Sequence, residues 1–121
     1  MASITGFGGI FLRTDDPKAL YQWYEQHLGL VKDGGAYGFA PPTKHPQVVF
    51  ALFKQDSDYF PPAQKAMLNL QVDDLDGLLD RLIGEGVTVD PKRDTYDFGK
   101  FGWLTDPEGN RVELWQPVAN D

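Results

Sequence analysis

An internal repeat constrains this chain more than any other feature. Asp15-Asp16-Pro17 opens a helical pattern in the first half, and Asp73-Asp74-Leu75 opens another 58 residues later. At that offset Leu20 aligns with Leu78 and Tyr24 with Leu82. One gap then aligns Gly29-Leu30-Val31 with Gly86-Val87-Thr88. Two copies spaced at nearly half the chain read as a duplicated module, because solenoid repeats are shorter and more numerous. The 121 residues suffice for one domain around one core. Within it, module one covers about 4–60 and module two about 64–117.

Each half carries the order strand, helix, then three strands. Phe7–Thr14 and Met67–Val72 are rich in β-compatible residues and open the two halves. Asp16 can cap the first helix, and Pro17 fits its first position, where no N–H is needed. Leu20, Trp23, Tyr24 and Leu28 recur at helical spacing, and Gly29 ends the pattern. In the second helix Asp74 caps, and Leu75, Leu78, Leu79, Leu82 and Ile83 form the stripe. Gly84 and Gly86 close it. Further strands are predicted at Val31-Lys32, Ala36–Ala40 and Gln47–Lys54, then at Val87–Asp90, Gly99–Thr105 and Arg111–Gln116. Asp106-Pro107-Glu108-Gly109-Asn110 is a turn between the last two. Pro41-Pro42 and Pro61-Pro62 mark loops, the second between modules.

Alternation separates two faces of the strands. Ile10, Leu12, Leu68, Leu70, Val72, Val112 and Leu114 occupy even positions and are all aliphatic, so this face packs against the helices. The odd positions hold Gly9, Phe11, Arg13, Val49, Ala51, Phe53, Met67, Asn69, Gln71, Arg111, Glu113 and Trp115. A solvated outer face is the plain reading of such a mixture. Its large apolar groups favour a cleft with an apolar body and a few polar anchors.

Charge and composition exclude several partners. Eleven basic against 18 acidic residues leave a net charge of −7, which phosphate backbones repel, so no nucleic acid is expected. No apolar run approaches the roughly 20 residues of a membrane span, so no membrane is expected. With no leader pattern at the N-terminus, a soluble cytoplasmic protein is the expectation. The absence of cysteine removes disulfides, thiolate metal sites and a Cys nucleophile. Dinucleotide, P-loop, G-x-S-x-G and H-E-x-x-H motifs are also missing. His27 falls in the first helix beside the apolar stripe, where a structural or surface role is expected. His45 lies in the Pro-flanked Lys44-His45-Pro46 loop and reads as solvated.

Three stretches carry a family resemblance: Gly9-Ile10-Phe11-Leu12-Arg13-Thr14-Asp15-Asp16-Pro17, then Trp23-Tyr24 with Leu28-Gly29-Leu30, and finally Asp106 to Leu114. In order and spacing they resemble the vicinal oxygen chelate superfamily, which includes glyoxalase I, extradiol dioxygenases and bleomycin-resistance proteins. The resemblance implies an α+β fold in which two βαβββ modules form a curved, mostly antiparallel eight-stranded sheet around a cleft. It also implies a homodimer. Metal-using members place ligands at positions that fall here at about Gly9, Ala51, Met67 and Glu113. Only Glu113 offers a hard donor, and one carboxylate cannot hold a divalent cation, so neither metal nor cofactor is expected.

The leading expectation is therefore a metal-independent protein that binds a small molecule. Glu113, Arg13, Asn69 and Gln71 would be its polar anchors, and Phe11, Phe53, Met67, Trp103 and Trp115 its apolar area. A salt bridge between Glu113 and Arg13 across the sheet is the structural alternative for that pair. Two other functions remain open. One is a lyase, isomerase or dioxygenase-like enzyme with Glu113 as general base; the other is a structural or interaction subunit.

Overall fold

The computed structural model of the chain describes residues 2, 10–33, 36–39 and 49–118. Gly9, His45, the Pro41-Pro42 loop and the outer parts of two predicted strands, 7–9 and 47–48, lie outside the described residues.

The first helix, α1 (Pro17–Leu28), begins as the sequence dictates. The Asp16 carboxylate accepts from Ala19 N at 3.1 Å, Pro17 takes the first position, and Gly29 turns the chain out at φ 74°. Leu20, Tyr24 and His27 form its buried side. A hairpin of β1 (Leu30–Asp33) and β2 (Ala36–Phe39) follows, antiparallel, with Leu30 opposite Phe39.

The second half of the chain follows. It runs β3 (Leu68–Gln71), α2 (Leu75–Gly84), β4 (Thr88–Val89), β5 (Asp94–Tyr96), β6 (Gly99–Thr105) and β7 (Arg111–Pro117). The strands form a five-stranded sheet in the order β3-β7-β6-β4, with β5 also pairing β6. β3 runs parallel to β7, as a strand–helix crossover requires, and β6–β7 is an antiparallel hairpin. Strand β5 was not legible in the sequence; it is the short return that precedes β6.

Even positions face α2, as the alternation predicts for this module. Leu104, Val112 and Leu114 pack with Leu75, Leu79, Leu82 and Val87 into the buried core, flanked by Leu68, Leu70 and Val72. Gly102 lets β6 approach the helix, since a Cβ there would lie 2.6 Å from Leu79 Cδ1. Asp74 caps α2 by accepting from Gly77 N at 3.1 Å.

Module one departs from the expectation at both ends. Residues 10–14 and 49–54, predicted as its first and last strands, are not strands. Ile10 and Leu12, assigned to the core face, are exposed, as are Val49, Phe50 and Leu52 (86% for Leu52). A half-apolar segment becomes a strand only when a neighbouring ladder satisfies its backbone. Neither segment takes part in the ladders of the two sheets. Among the described residues the strands form a five-stranded sheet and a separate hairpin, and the eight-stranded curved sheet is not shown.

The two halves of the chain meet at α1. Tyr24 Oη donates to Asp106 Oδ2 at 2.9 Å. The buried Asp106 also accepts from the backbone N–H of Glu108 and of Asn110, so it organises the β6–β7 turn. Burial, reinforced by the Asp106 charge, pushes the Tyr24 phenol well above its ordinary pKa and keeps it a donor. His27, for which a structural or surface role is expected, is 7% exposed, and its Nδ1 lies 2.8 Å from Glu85 Oε1. Arg81 completes the clasp, with Nη1 on Glu85 and Nη2 donating to the His27 carbonyl at 3.0 Å.

Candidate functional site

The ladder register determines which odd-position side chains become neighbours. Asn69, Glu113 and Trp103 stand in one row across β3, β7 and β6, because Asn69 pairs with Glu113 and Glu113 with Trp103. Gln71, Trp115 and Phe101 form the next row. Cross-strand neighbours on one face lie within reach of each other's side chains, and here the outer members of the first row both donate to the middle one. Asn69 Nδ2 donates to Glu113 Oε1 at 2.6 Å, and Trp103 Nε1 donates to Glu113 Oε2 at 3.0 Å.

A third donor comes from outside the sheet. The segment 54–66 crosses this face as a strap, and the Tyr59 hydroxyl donates to Glu113 Oε2. The strap is fastened by Gln64, whose side-chain amide pairs with the Arg111 backbone like a short ladder. Nε2 donates to the Arg111 carbonyl, and Oε1 accepts from Arg111 N, each at 2.8 Å. Glu113 is thereby 7% exposed and held by three donors. Burial and the Glu113 carboxylate together raise the pKa of the Tyr59 phenol, so it stays protonated.

Aromatic rings surround this carboxylate. Tyr59 meets Trp103 edge-on at 5.9 Å and stacks on Phe53 at 5.2 Å. The Arg111 guanidinium lies 5.1 Å from the Trp103 ring while its Nη2 holds Asp90 Oδ2 at 3.1 Å. In the second row Phe101 and Trp115 are parallel at 6.2 Å, and Tyr96 and Phe98 continue the aromatic surface along the β5–β6 hairpin. Gly99, at φ 148°, makes room for this layer: a Cβ there would meet Trp115 Nε1 and the Gln116 carbonyl oxygen, each at 2.6 Å.

The candidate residues separate into three groups. Glu113, Asn69 and Trp103 converge directly, with Phe53 joining through Tyr59. Gln71 and Trp115 share the face one row away, and Met67 is half-buried just before β3. Phe11, 99% exposed, and Arg13, also exposed, do not join the cluster. They belong to the segment that forms no strand, so nothing turns them onto this face. The salt bridge considered for Arg13 and Glu113 is absent among the described residues, and Tyr59, Asn69 and Trp103 take its place. Trp115, expected to be wet on one side, is buried beneath Phe101.

Sequence reasoning missed Tyr59, because its segment carries no periodicity. The signal available was the apolar pair Tyr59-Phe60 beside Pro61-Pro62, unusual in a solvated connection. Arg111 was placed on the correct face without a role.

The ligand positions of metal-using relatives fit a cation poorly. Ala51 and Met67 carry no hard donor, and the oxygens of Glu113 face three hydrogen-bond donors instead of other acceptors. No group of three His, Asp or Glu side chains suited to a metal occurs among the described residues.

Comparison with known proteins places this geometry in a family. Residues 9–115 match the model of the glyoxalase-like domain. CFP32 of Mycobacterium bovis and of Mycobacterium tuberculosis, provisionally named a glyoxylase, is 30% identical over 116 residues. That match takes in 87% of this chain but 43% of CFP32, so the chain spans less than half of these relatives. Two solved structures share the fold. TnmS3, an antibiotic-binding protein from Streptomyces sp. CB03234, is 23% identical with a TM-score of 0.67, over 98% of this chain and 100% of its own. A member of the glyoxalase/bleomycin resistance protein/dioxygenase superfamily from Sphaerobacter thermophilus is 22% identical with a TM-score of 0.55, over 85% and 90%. The chain belongs to the glyoxalase-like domain family of the vicinal oxygen chelate superfamily.

Proposed function

We propose that this chain is a metal-independent small-molecule-binding protein whose ligand lies on the odd face of β3, β6 and β7. The observation that carries the reading is the buried Glu113 carboxylate, ringed by donors and set among aromatic side chains. One oriented polar group within an apolar surround is the usual make-up of a ligand site. The fold shared with the antibiotic-binding TnmS3 supports this reading. A general-base role for Glu113 is less favoured. Three donors already occupy three of about four lone-pair sites on the carboxylate, and hydrogen bonds to the charged form weaken it as a base.

The same proposal takes the chain as a homodimer. Among the described residues β3 ends the five-stranded sheet on one side, and Phe11, Phe50 and Leu52 are exposed. Unpaired edges and exposed apolar groups are what association covers; light scattering giving the mass of one chain contradicts it.

The function is tested by thermal shift against a panel of drug-like and metabolite aromatics, with EDTA present throughout. The expected outcome is at least one stabilising compound whose effect survives EDTA and weakens in Glu113→Gln. Stabilisation that appears only when a divalent cation is added contradicts the proposal.

A further inference from the structure

Of the three donors on Glu113, two are built into the sheet and one is not. Asn69 and Trp103 sit on strands paired directly to β7, so their positions follow from the ladder. Tyr59 arrives on the strap, whose described fastenings are the Gln64 amide and local turns such as Ser57 N to the Lys54 carbonyl at 2.9 Å. Tyr59 is thus the exchangeable member of the set. Its ring lies between Phe53, stacked at 5.2 Å, and the edge contact with Trp103 at 5.9 Å. This face of the sheet is therefore already complementary to one kind of group: a flat ring with a hydroxyl directed at Glu113.

We propose that Tyr59 occupies the ligand's place, and that the ligand is a flat aromatic compound bearing a hydroxyl whose O–H replaces the Tyr59 phenol on Glu113. This rests on the reading of the face as a small-molecule site. Displacing Tyr59 removes one of three donors from a buried carboxylate, and an unsatisfied buried acceptor is costly. An incoming ring without a donor leaves that cost standing, whereas a hydroxyl cancels it. Acceptor-only groups such as carboxylate or phosphate cannot bond to Glu113 and are repelled by its charge. Phe53 and Trp103 supply ring faces and edges that suit an aromatic body.

Isothermal titration of 2-naphthol and 2-methoxynaphthalene separates the elements of this proposal. The pair shares the ring and differs in the donor. Wild type, Tyr59→Phe and Glu113→Gln are compared, each checked by circular dichroism for native fold. Wild type should prefer 2-naphthol by about tenfold or more, the range for one hydrogen bond to a charged group. Tyr59→Phe should bind both probes about tenfold more tightly, because neither then has to displace a donor. The preference between probes should remain in Tyr59→Phe and shrink in Glu113→Gln, whose neutral amide is a weaker acceptor.

Equal affinity for both probes in wild type and in Tyr59→Phe overturns the hydroxyl assignment and leaves the small-molecule site standing. Tyr59→Phe binding the probes no more tightly than wild type overturns the displacement, because Tyr59 then keeps its place or holds the ligand itself. Failure of both probes to bind any of the three folded proteins overturns the inference together with the aromatic character of the proposed site.

Discussion

Glu113 shows how little freedom a side chain has once the ladder register is set. A slip of one residue on β7 would turn it into the helix-packed core and bring Leu114 to the opposite face. With the observed pairing, Asn69 and Trp103 flank it and both donate to it. The carboxylate is thus as much a structural acceptor as a candidate anchor. Glu113→Ala should destabilise the chain in urea melts by about 1–3 kcal/mol for each buried donor it orphans, chiefly Trp103 Nε1. Glu113→Gln, which keeps an acceptor in place, should cost clearly less. Equal losses for the two would show that the hydrogen bonds carry no stability. The charge and spacing of Glu113 were legible in the sequence, but the Tyr59 bond was not, because no periodic pattern links a connecting segment to a strand 54 residues away.

At the scale of elements, the strands of the second half obey alternation, and the described residues of the outer strands predicted for the first half form no strand. Leu68, Leu70, Val112 and Leu114 could be assigned to the core from parity alone because each belongs to a paired ladder. Ile10 and Leu12 have the same parity yet are exposed, since alternation names a face only after pairing creates one. Both helix starts were readable for a more local reason: Asp16 and Asp74 satisfy the first-turn N–H groups with their own side chains. The tests here are Leu114→Ala and Trp115→Ala, compared by thermal and urea melts. Leu114→Ala should lose about 2–5 kcal/mol by opening a cavity against α2. Trp115→Ala should lose about 3–5 kcal/mol, because its indole is buried against Phe101 and is not wetted on one side. A nearly neutral Leu114→Ala would mean that the two faces are exchanged.

For the whole molecule, α1 meets the second half through both apolar and polar contacts, since Trp23 and Leu28 pack against the core beside a set of hydrogen bonds. Helical stripes predict the apolar share, whereas Tyr24 on Asp106 and the His27, Glu85 and Arg81 clasp carry no periodic signal in the sequence. The clasp and its neighbours also set an acid limit. The His27 hydrogen bond, with Arg81 behind it, holds Glu85 below the ordinary carboxylate range. The Arg93 hydrogen bond, aided by Lys100, does the same for Asp76. The Lys92 backbone N–H and the Arg111 side chain do so for Asp90. Groups with depressed folded-state values contribute stability that is present above their unfolded pKa, roughly pH 4, and is lost as pH falls through the folded value. The melting temperature should therefore fall on acidification below about pH 4, and high salt should reduce the exposed share of that effect. A melting temperature that rises below pH 4 would contradict it.

The central claim, that the odd face of module two is where a small molecule binds, has its own reporters in the three tryptophans. Trp103 and Trp115 lie on that face, whereas Trp23 packs on the α1 side against the core and His27. The indole N–H resonances of 15N-labelled protein, followed while a compound found in the thermal-shift panel is titrated to saturation, distinguish the two sides in one spectrum. The Trp103 signal should move most, because its N–H lies on Glu113, the Trp115 signal should follow, and the Trp23 signal should stay in place. Saturation that moves Trp23 and leaves Trp103 and Trp115 unchanged would place the ligand elsewhere and contradict the claim.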